Sequence, residues 1–168
     1  MATDLHVIET PNPELIDASQ GAGSSIGTTT RALGALWYQL TARSWSTLAL
    51  VALDDGARTW RIAQALVHVA DKDPRPLKAV NVVGASPARV AALANVLSPE
   101  RLQAPANRPR FVLAVDSPLE NPPAVVLLSA CDVVVLCLER GRSRIPDGQR
   151  TVELIGRERI MGAVLCSG

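Results

Sequence analysis

Short apolar segments alternate with amphipathic segments along most of this chain. The segment at 47–53 (TLALVAL) is wholly apolar, which predicts a buried strand. Similar apolar runs follow at 79–83, 110–115, 132–138 and 160–166. The segments between the runs carry apolar residues at helical spacing, which predicts helices. These helices are expected at about 29–42, 58–70, 87–97, 122–131 and 145–156.

The order of these elements predicts the fold class. Continuous apolar strands that alternate with helices are typical of a parallel sheet covered on both faces. We therefore expect a single α/β domain over residues 28–168, with a mostly parallel five-stranded sheet and helices on both faces. Residues 1–27 are polar and rich in proline, glycine and serine, and are expected to form a flexible N-terminal arm. Ligands bind beyond the carboxyl ends of such strands, so the loops after residues 53, 83, 115 and 138 are candidates for a site.

Composition and charge argue against a nucleic-acid-binding, a membrane-spanning and a secreted protein. The 168 residues include 17 basic and 16 acidic side chains, and a net charge of +1 gives no electrostatic basis for general nucleic-acid binding. The longest apolar stretch, at 124–138, is broken by Ser129 and Asp132 and is shorter than the roughly 20 residues of a membrane-spanning helix. The first residues have neither a basic start nor an apolar core, so no secretory signal is expected. We expect a cytoplasmic protein.

Residue types that bind metals are sparse. The three cysteines, Cys131, Cys137 and Cys166, lie in or beside apolar runs without zinc-ligand spacing, so reduced core thiols are expected. His6 and His68 have no cysteine or histidine partners at ligand spacing. No metal site is therefore predicted.

The loop after the first predicted strand has the layout of a phosphate-binding loop, which is a strand followed by a glycine turn and a helix. A functional loop of this kind needs a lysine on the β- and γ-phosphates and a serine or threonine on magnesium. Here no lysine is present and Asp54 and Asp55 would repel phosphate, although Arg58 offers a positive charge. The loop is either an ordinary turn in which an aspartate caps the helix, or a vestigial nucleotide site. The candidate residues of that site are Gly56, Ala57, Arg58 and Thr59.

An aspartate directly follows the apolar run at 110–115. Asp116 therefore has the position of a Walker B carboxylate, which binds magnesium directly or through water. The alternative is that Asp116 accepts hydrogen bonds from nearby backbone amides and has only a structural role.

A basic loop follows the run at 132–138. Arg140, Arg142 and Arg144 lie at the edge of the sheet where ligands are expected. The loop is either a solvated connection or a docking site for an acidic partner or a phosphate.

The C-terminal half of the chain resembles a known family. Residues 115–118 (VDSP) resemble the Walker B motif of the bacterial tyrosine autokinases of exopolysaccharide synthesis. Residues 130–136 (ACDVVVL) and 156–165 (GRERIMGAVL) resemble two later strands of the same kinases with their flanks. These kinases belong to the deviant Walker ATPases, together with MinD and ParA. The resemblance covers residues 111–165, extends more faintly to 30–83, and implies a P-loop-like fold.

Most of the phosphate and metal ligands of that family have no counterpart here. The lysine and the serine or threonine of its phosphate loop fall on Ala57 and Arg58, and its second acidic motif falls on residues 84–86 (GAS). Asp116 alone is retained from the set that binds metal and phosphate. Because phosphoryl transfer depends on positioning and charge neutralisation, the resemblance implies a protein that does not catalyse it.

The resemblance therefore implies a function through partners. We expect a catalytically inactive kinase- or ATPase-like protein that acts in exopolysaccharide biosynthesis or export without a cofactor. Its partner would be an inner-membrane polysaccharide co-polymerase or an active ATPase, which would recruit it to the inner membrane; homo-oligomers are a further expectation. The alternatives are a regulatory switch that binds ATP and magnesium, and a division or partition accessory of the MinD–ParA type.

Overall fold

The computed structural model describes residues 5–9, 25–54, 56–97 and 109–166, which form a six-stranded sheet with helices around it. The strands are β1 (Leu5–Glu9), β2 (Thr47–Ala52), β3 (Leu77–Asn81), β4 (Arg110–Val115), β5 (Val133–Glu139) and β6 (Ile160–Cys166). The helices are α1 (Ser25–Thr41), α2 (Gly56–Val69), α3 (Pro87–Leu97), α4 (Ala124–Ala130) and α5 (Ile145–Ile155). Short 3-10 turns lie at Ala70–Lys72 and Arg157–Arg159.

The strand order of the sheet is β1-β6-β5-β2-β4-β3. The predicted five parallel strands are confirmed, since β2 to β6 all run parallel to one another. The sequence does not predict β1, which pairs antiparallel with β6 so that Leu5 lies opposite Cys166. The segment 1–27, expected as a flexible arm, thus contributes a strand at 5–9 and the first residues of α1. Its remaining residues lie outside the described ranges.

Helices cover both faces of the sheet, which confirms the predicted α/β class. α1 and α2 pack on one face, where Leu40 and Leu66 are fully buried. α3, α4 and α5 pack on the other face, where Val51 and Leu113 are fully buried. β2 lies between β4 and β5 and is buried along its whole length. Burial from both faces explains why its sequence is continuously apolar and does not alternate.

A carboxylate holds the amino ends of two central strands together. Oδ2 of Asp132, just before β5, accepts hydrogen bonds from the backbone amides of Ser46 (2.8 Å) and Thr47 (2.9 Å). The Asp132 amide donates to the Thr47 hydroxyl at 2.9 Å. These bonds fix the alignment of β2 and β5.

A buried arginine marks the amino end of β4. Nη2 of Arg110 lies 2.6 Å from Oδ1 of Asp73, and the guanidinium lies 4.7 Å and 4.9 Å from the ring centroids of Trp37 and Trp45. Burial raises the pKa of Asp73, but the hydrogen bond from the Arg75 amide and the hydrogen bond and charge of Arg110 outweigh it. The pKa of Asp73 therefore lies below its ordinary value of 3.8.

The path of the chain reverses at β2. From β2 the chain crosses over β4 to reach β3 at one edge of the sheet, and from β4 it crosses over β2 to reach β5 on the other side. In an open parallel sheet such a reversal leaves a crevice beyond the carboxyl ends of the strands. The loops that follow β2, β4 and β5 meet at this crevice.

Candidate functional site

The turn that begins α2 is packed closely against its neighbours. Gly56 is buried, and a Cβ atom placed on it would lie 2.5 Å from Cγ1 of Val83 and 2.8 Å from Oδ1 of Asp116. Both distances are too short for real atoms, so only glycine fits here without a shift of its neighbours. A phosphate-binding loop uses its glycine to bring a ligand close to the backbone. In this protein Val83 and Asp116 occupy the space beside that glycine.

Asp116 binds the protein backbone. Its Oδ2 accepts a hydrogen bond of 2.7 Å from the amide of Gly84, in the turn that follows β3. Gly84 has a φ angle of 69°, a left-handed conformation that favours glycine. The carboxylate therefore joins the ends of β3 and β4, which is the structural alternative considered for this residue. Gly56 and Asp116 are the two members of the predicted nucleotide site that the structure brings together.

Arg58 lies on the other side of the turn, toward β5. Its Nη2 is 3.1 Å from Oε1 of Glu139, the last residue of β5, and the two side chains are 24% and 9% exposed. The guanidinium that would have to neutralise a phosphate thus faces a carboxylate of the protein itself. Because both groups are largely removed from solvent, separating them would cost free energy.

Little free space remains between α2 and the ends of β5 and β6. A cavity of about 10 Å³ lies there, lined in part by Asp54, Thr59 and Cys166. About 10–15 Å³ is the smallest volume that holds one water molecule. The Thr59 hydroxyl is buried at this cavity without a hydrogen-bond partner among the described residues. This cavity beside Arg58 and Thr59 is therefore too small for a phosphate group.

The basic loop after β5 is a tight turn. The amides of Arg142 and Ser143 donate to the Glu139 carbonyl at 3.1 Å and 2.9 Å. Gly141, with a φ angle of 80°, supplies the left-handed conformation inside the turn. The Ser143 hydroxyl accepts a 2.6 Å hydrogen bond from the Glu139 amide and donates to the Asp54 carboxylate. Asp54 thus binds the basic loop, although the sequence suggested it as a cap for α2.

The three arginines of this loop are exposed. Nη1 of Arg142 lies 3.5 Å from Oε2 of Glu139, but the Arg142 side chain is still 65% exposed. Within the described part of the chain, no ion pair engages Arg140 or Arg144. A cluster of exposed guanidinium groups on an ordered turn suits a partner that carries carboxylates or phosphates.

The three cysteines are buried: Cys131 lies just before β5, Cys137 lies in β5 and Cys166 ends β6. Burial raises the pKa of the Cys131 thiol to about 12 and that of the Cys166 thiol to about 11, and also raises the pKa of Cys137. The thiol, rather than the reactive thiolate, is therefore the form present at neutral pH. All three are free and buried, in agreement with the predicted core thiols.

Sequence reasoning missed the residues that connect the candidate site. It places Gly56, Arg58, Thr59 and Asp116 in one nucleotide site, whereas Arg58 and Thr59 face β5 and β6. The side chain of Ala57 lies outside the described residues. Glu139 and Ser143, which the sequence does not single out, join the α2 turn to the basic loop. The sequence does show an acidic residue, Glu139, at the end of an apolar strand. That residue points to a contact with α2 only once β5 is known to lie beside β2.

A larger open groove lies away from these residues. It has a volume of about 1040 Å³ and lies between α5 and the strands β5 and β6, beside Leu138, Val152 and Ile160. None of the predicted site residues lines it.

The described ranges also bear on metal binding and on membrane crossing. Their side chains include no group of three or more His, Cys, Asp or Glu residues placed to hold a metal ion. Of the helices in these ranges, none has both the length and the apolar character needed to cross a membrane.

The amino-acid sequence was also compared with known proteins. No protein-family model and no curated protein matches it. The resemblance to the autokinases therefore stays a prediction, and the geometry at the carboxyl ends of the strands is the main guide to function.

Proposed function

We propose that this protein is a catalytically inactive kinase- or ATPase-like protein that acts in exopolysaccharide biosynthesis or export by binding a protein partner. The process comes from the sequence resemblance alone. The residues at the carboxyl edge of the sheet support both the absence of catalysis and the binding of a partner. The partner class is an inner-membrane polysaccharide co-polymerase or an active ATPase, which would recruit the protein to the inner membrane from the cytoplasm.

The Arg58–Glu139 ion pair is the observation that carries the proposal. The cation at the phosphate-loop position is already paired at 3.1 Å, and about 10 Å³ of space remains beside it. A nucleotide would have to break a largely buried ion pair, and it would meet the carboxylates of Asp54 and Asp116 without a lysine to offset them. Transition-state charge at a phosphoryl group is stabilised by positioned cations, and each such group typically contributes about 10²-fold or more in rate.

Nucleotide binding is tested with the purified full chain. Calorimetric titration with ATP and magnesium should give no heat of binding, and phosphate release should equal that of a buffer blank. Asp116→Ala is the matched variant, because turnover by a contaminating ATPase would survive it. Magnesium-dependent turnover that disappears in Asp116→Ala would contradict the inactive assignment. Tight ATP binding without turnover would favour the regulatory switch instead.

Partner binding is tested in the native host by the amount of polymer produced. Reversal of Arg140, Arg142 and Arg144 to glutamate should reduce the polymer strongly while the protein level and melting temperature stay near those of the wild type. The matched control reverses three other exposed arginines, which are Arg31, Arg43 and Arg157. The control makes the same charge change away from the loop and should leave the polymer unchanged.

The result discriminates between a docking loop and a solvated loop. Charged groups at the rim of an interface mainly set the association rate and its salt dependence. Capture of a membrane partner by the wild type should therefore weaken at high salt. At low salt, the loop variant should capture the partner as weakly as the wild type does at high salt. Equal polymer in the loop variant and in the wild type would remove the basic loop as the partner surface.

A further inference from the structure

A hydrogen-bonded clasp connects the loop after β2 to the basic loop after β5. The Ser143 hydroxyl has one proton, which it donates to Oδ2 of Asp54, and its lone pairs accept the Glu139 amide at 2.6 Å. The Ser143 amide returns a bond of 2.9 Å to the Glu139 carbonyl. The turn from 139 to 143 is therefore closed by two reciprocal hydrogen bonds and fixed to the loop after β2 by a third.

The Glu139 side chain extends the same connection to α2. Glu139 is 8% exposed, and its two carboxylate oxygens lie 3.1 Å from Arg58 and 3.5 Å from Arg142. Hydrogen bonds that involve an ionised partner are about twice as strong as neutral ones. Both ends of the turn therefore contact a charged residue outside it. Glu139 pairs with Arg58 of α2, and Ser143 donates to Asp54 in the loop after β2.

We propose that Asp54, Ser143 and Glu139 are positioning residues, which hold the basic loop in the shape that an acidic segment of the partner recognises. This inference rests on the proposed function, since it assumes that the loop is the partner surface. It assigns a present role to the phosphate-loop position: Asp54 and Arg58 order a protein-binding loop. An ordered loop loses less conformational entropy on binding, so the same contacts give a higher affinity.

A glycine lies between two of the three arginines of the basic loop. Arg140 and Arg142 lie on either side of Gly141, whose φ angle of 80° makes the turn tight. The side chains of both arginines are exposed, while the backbone amide of Arg142 donates to the Glu139 carbonyl. Guanidinium groups held in this way match carboxylates, which they bind through two parallel hydrogen bonds.

Limited trypsin digestion of the full chain tests the clasp without a partner. Trypsin cleaves after arginine, so cleavage after Arg140 and Arg142 reports how often the loop opens. Ser143→Ala keeps all the arginines and removes the hydroxyl, and it should raise the cleavage rate at these two sites about tenfold. Cleavage after the exposed Arg43 serves as the internal reference and should not change.

Two matched variants separate the clasp from a general loss of structure. Ser143→Thr keeps the hydroxyl and should digest like the wild type. Ser86→Ala removes a serine hydroxyl from another loop at the same edge, where it accepts the Arg89 amide at 3.4 Å. It should leave cleavage after Arg140 and Arg142 unchanged. Cleavage of Ser143→Ala at the wild-type rate would overturn the clasp.

Polymer production in the native host then tests the positioning role. Ser143→Ala should lower the polymer although every charge of the basic loop is retained, and Ser143→Thr should restore it. Faster digestion with undiminished polymer would overturn the positioning role and leave the proposed function standing, provided that reversal of the three arginines still abolishes polymer. If that reversal has no effect, the basic loop is not the partner surface, and the positioning role fails with it.

Discussion

The backbone amide of Gly84 donates a 2.7 Å hydrogen bond to the carboxylate of Asp116, which joins the end of β4 to the turn after β3. A Walker B aspartate directs its charge toward a metal ion, whereas this carboxylate binds the main chain of its own sheet. The same side chain borders Gly56, so it helps to fix the first turn of α2 as well. Asp116 thus has a structural role that does not depend on magnesium.

Asp116→Asn should lower the free energy of unfolding by about 1 kcal/mol, because the amide oxygen still accepts the Gly84 proton while the charge is lost. Asp116→Ala leaves that amide without an acceptor and should cost about 1–3 kcal/mol. Urea unfolding measures both. Magnesium should not stabilise the wild type more than either variant, and a selective increase in its stability on adding magnesium would show that the carboxylate still binds metal.

Gly56→Ala should destabilise the protein by about 1–3 kcal/mol, because the new methyl group overlaps Val83 and Asp116 in a packed region. Val83→Ala in the same chain should recover part of this loss by removing the closer contact. Gly34→Ala in α1 is the control, since nothing lies within 4 Å of a Cβ atom there. A helical glycine replaced by alanine should gain about 0.5–1 kcal/mol. Thermal unfolding of the wild type and the three variants shows which substitutions destabilise the protein and which stabilise it.

Thr59→Val should leave the free energy of unfolding unchanged or raise it slightly. Its hydroxyl is buried without a partner within hydrogen-bond distance in the described structure, and its neighbour is the weakly accepting Cys137 sulfur, so removing it loses little and ends a desolvation penalty. Thr47→Val is the matched control, because the Thr47 hydroxyl accepts the Asp132 amide at 2.9 Å. That variant should lose about 1–3 kcal/mol. A similar loss in Thr59→Val would mean that a bound water or ligand uses the Thr59 hydroxyl.

Asp73→Asn should make the protein less stable by about 1–3 kcal/mol at pH 7, because the buried Arg110 loses its carboxylate partner. The pKa of Asp73 is lower in the folded protein than its ordinary value of 3.8. Its contribution is therefore complete above that value and is lost as the pH falls through the folded pKa. Urea unfolding from pH 7 to pH 2 should show the two proteins converging at low pH. A difference that stays constant over this range would contradict the role of the charge.

The extent to which the sequence predicts the fold depends on whether an element is buried on both faces. The central strands have apolar sequences without alternation, and the predicted bounds of β4 and β6 are those observed. β1 is short and borders polar sequence, and its partner Cys166 lies at the far end of the chain. Pairing at an edge strand depends on that partner, which local periodicity does not reveal.

The candidate site was predicted less well than the fold for the same reason. The sequence identifies the loops, but not which loops are neighbours. The hydrogen bond of Ser143 to Asp54 exists because β5 lies beside β2, and that order is a property of the whole sheet. Residues close in the sequence were assumed to act together, although Gly56 and Arg58 face opposite sides of the turn.

The central position of β2 has a consequence for the protein during its synthesis. Asp132, which binds the amides at the start of β2, follows Ser46 by 86 positions along the chain. At about 5–20 residues per second, a ribosome needs roughly 4–17 s to add this stretch. During that time β2, whose six residues are all buried in the folded protein, leaves the ribosome before its β5 neighbour exists. Early chaperone contact should therefore concentrate on residues 47–52, and ribosome-bound chains that stop before residue 132 should retain it.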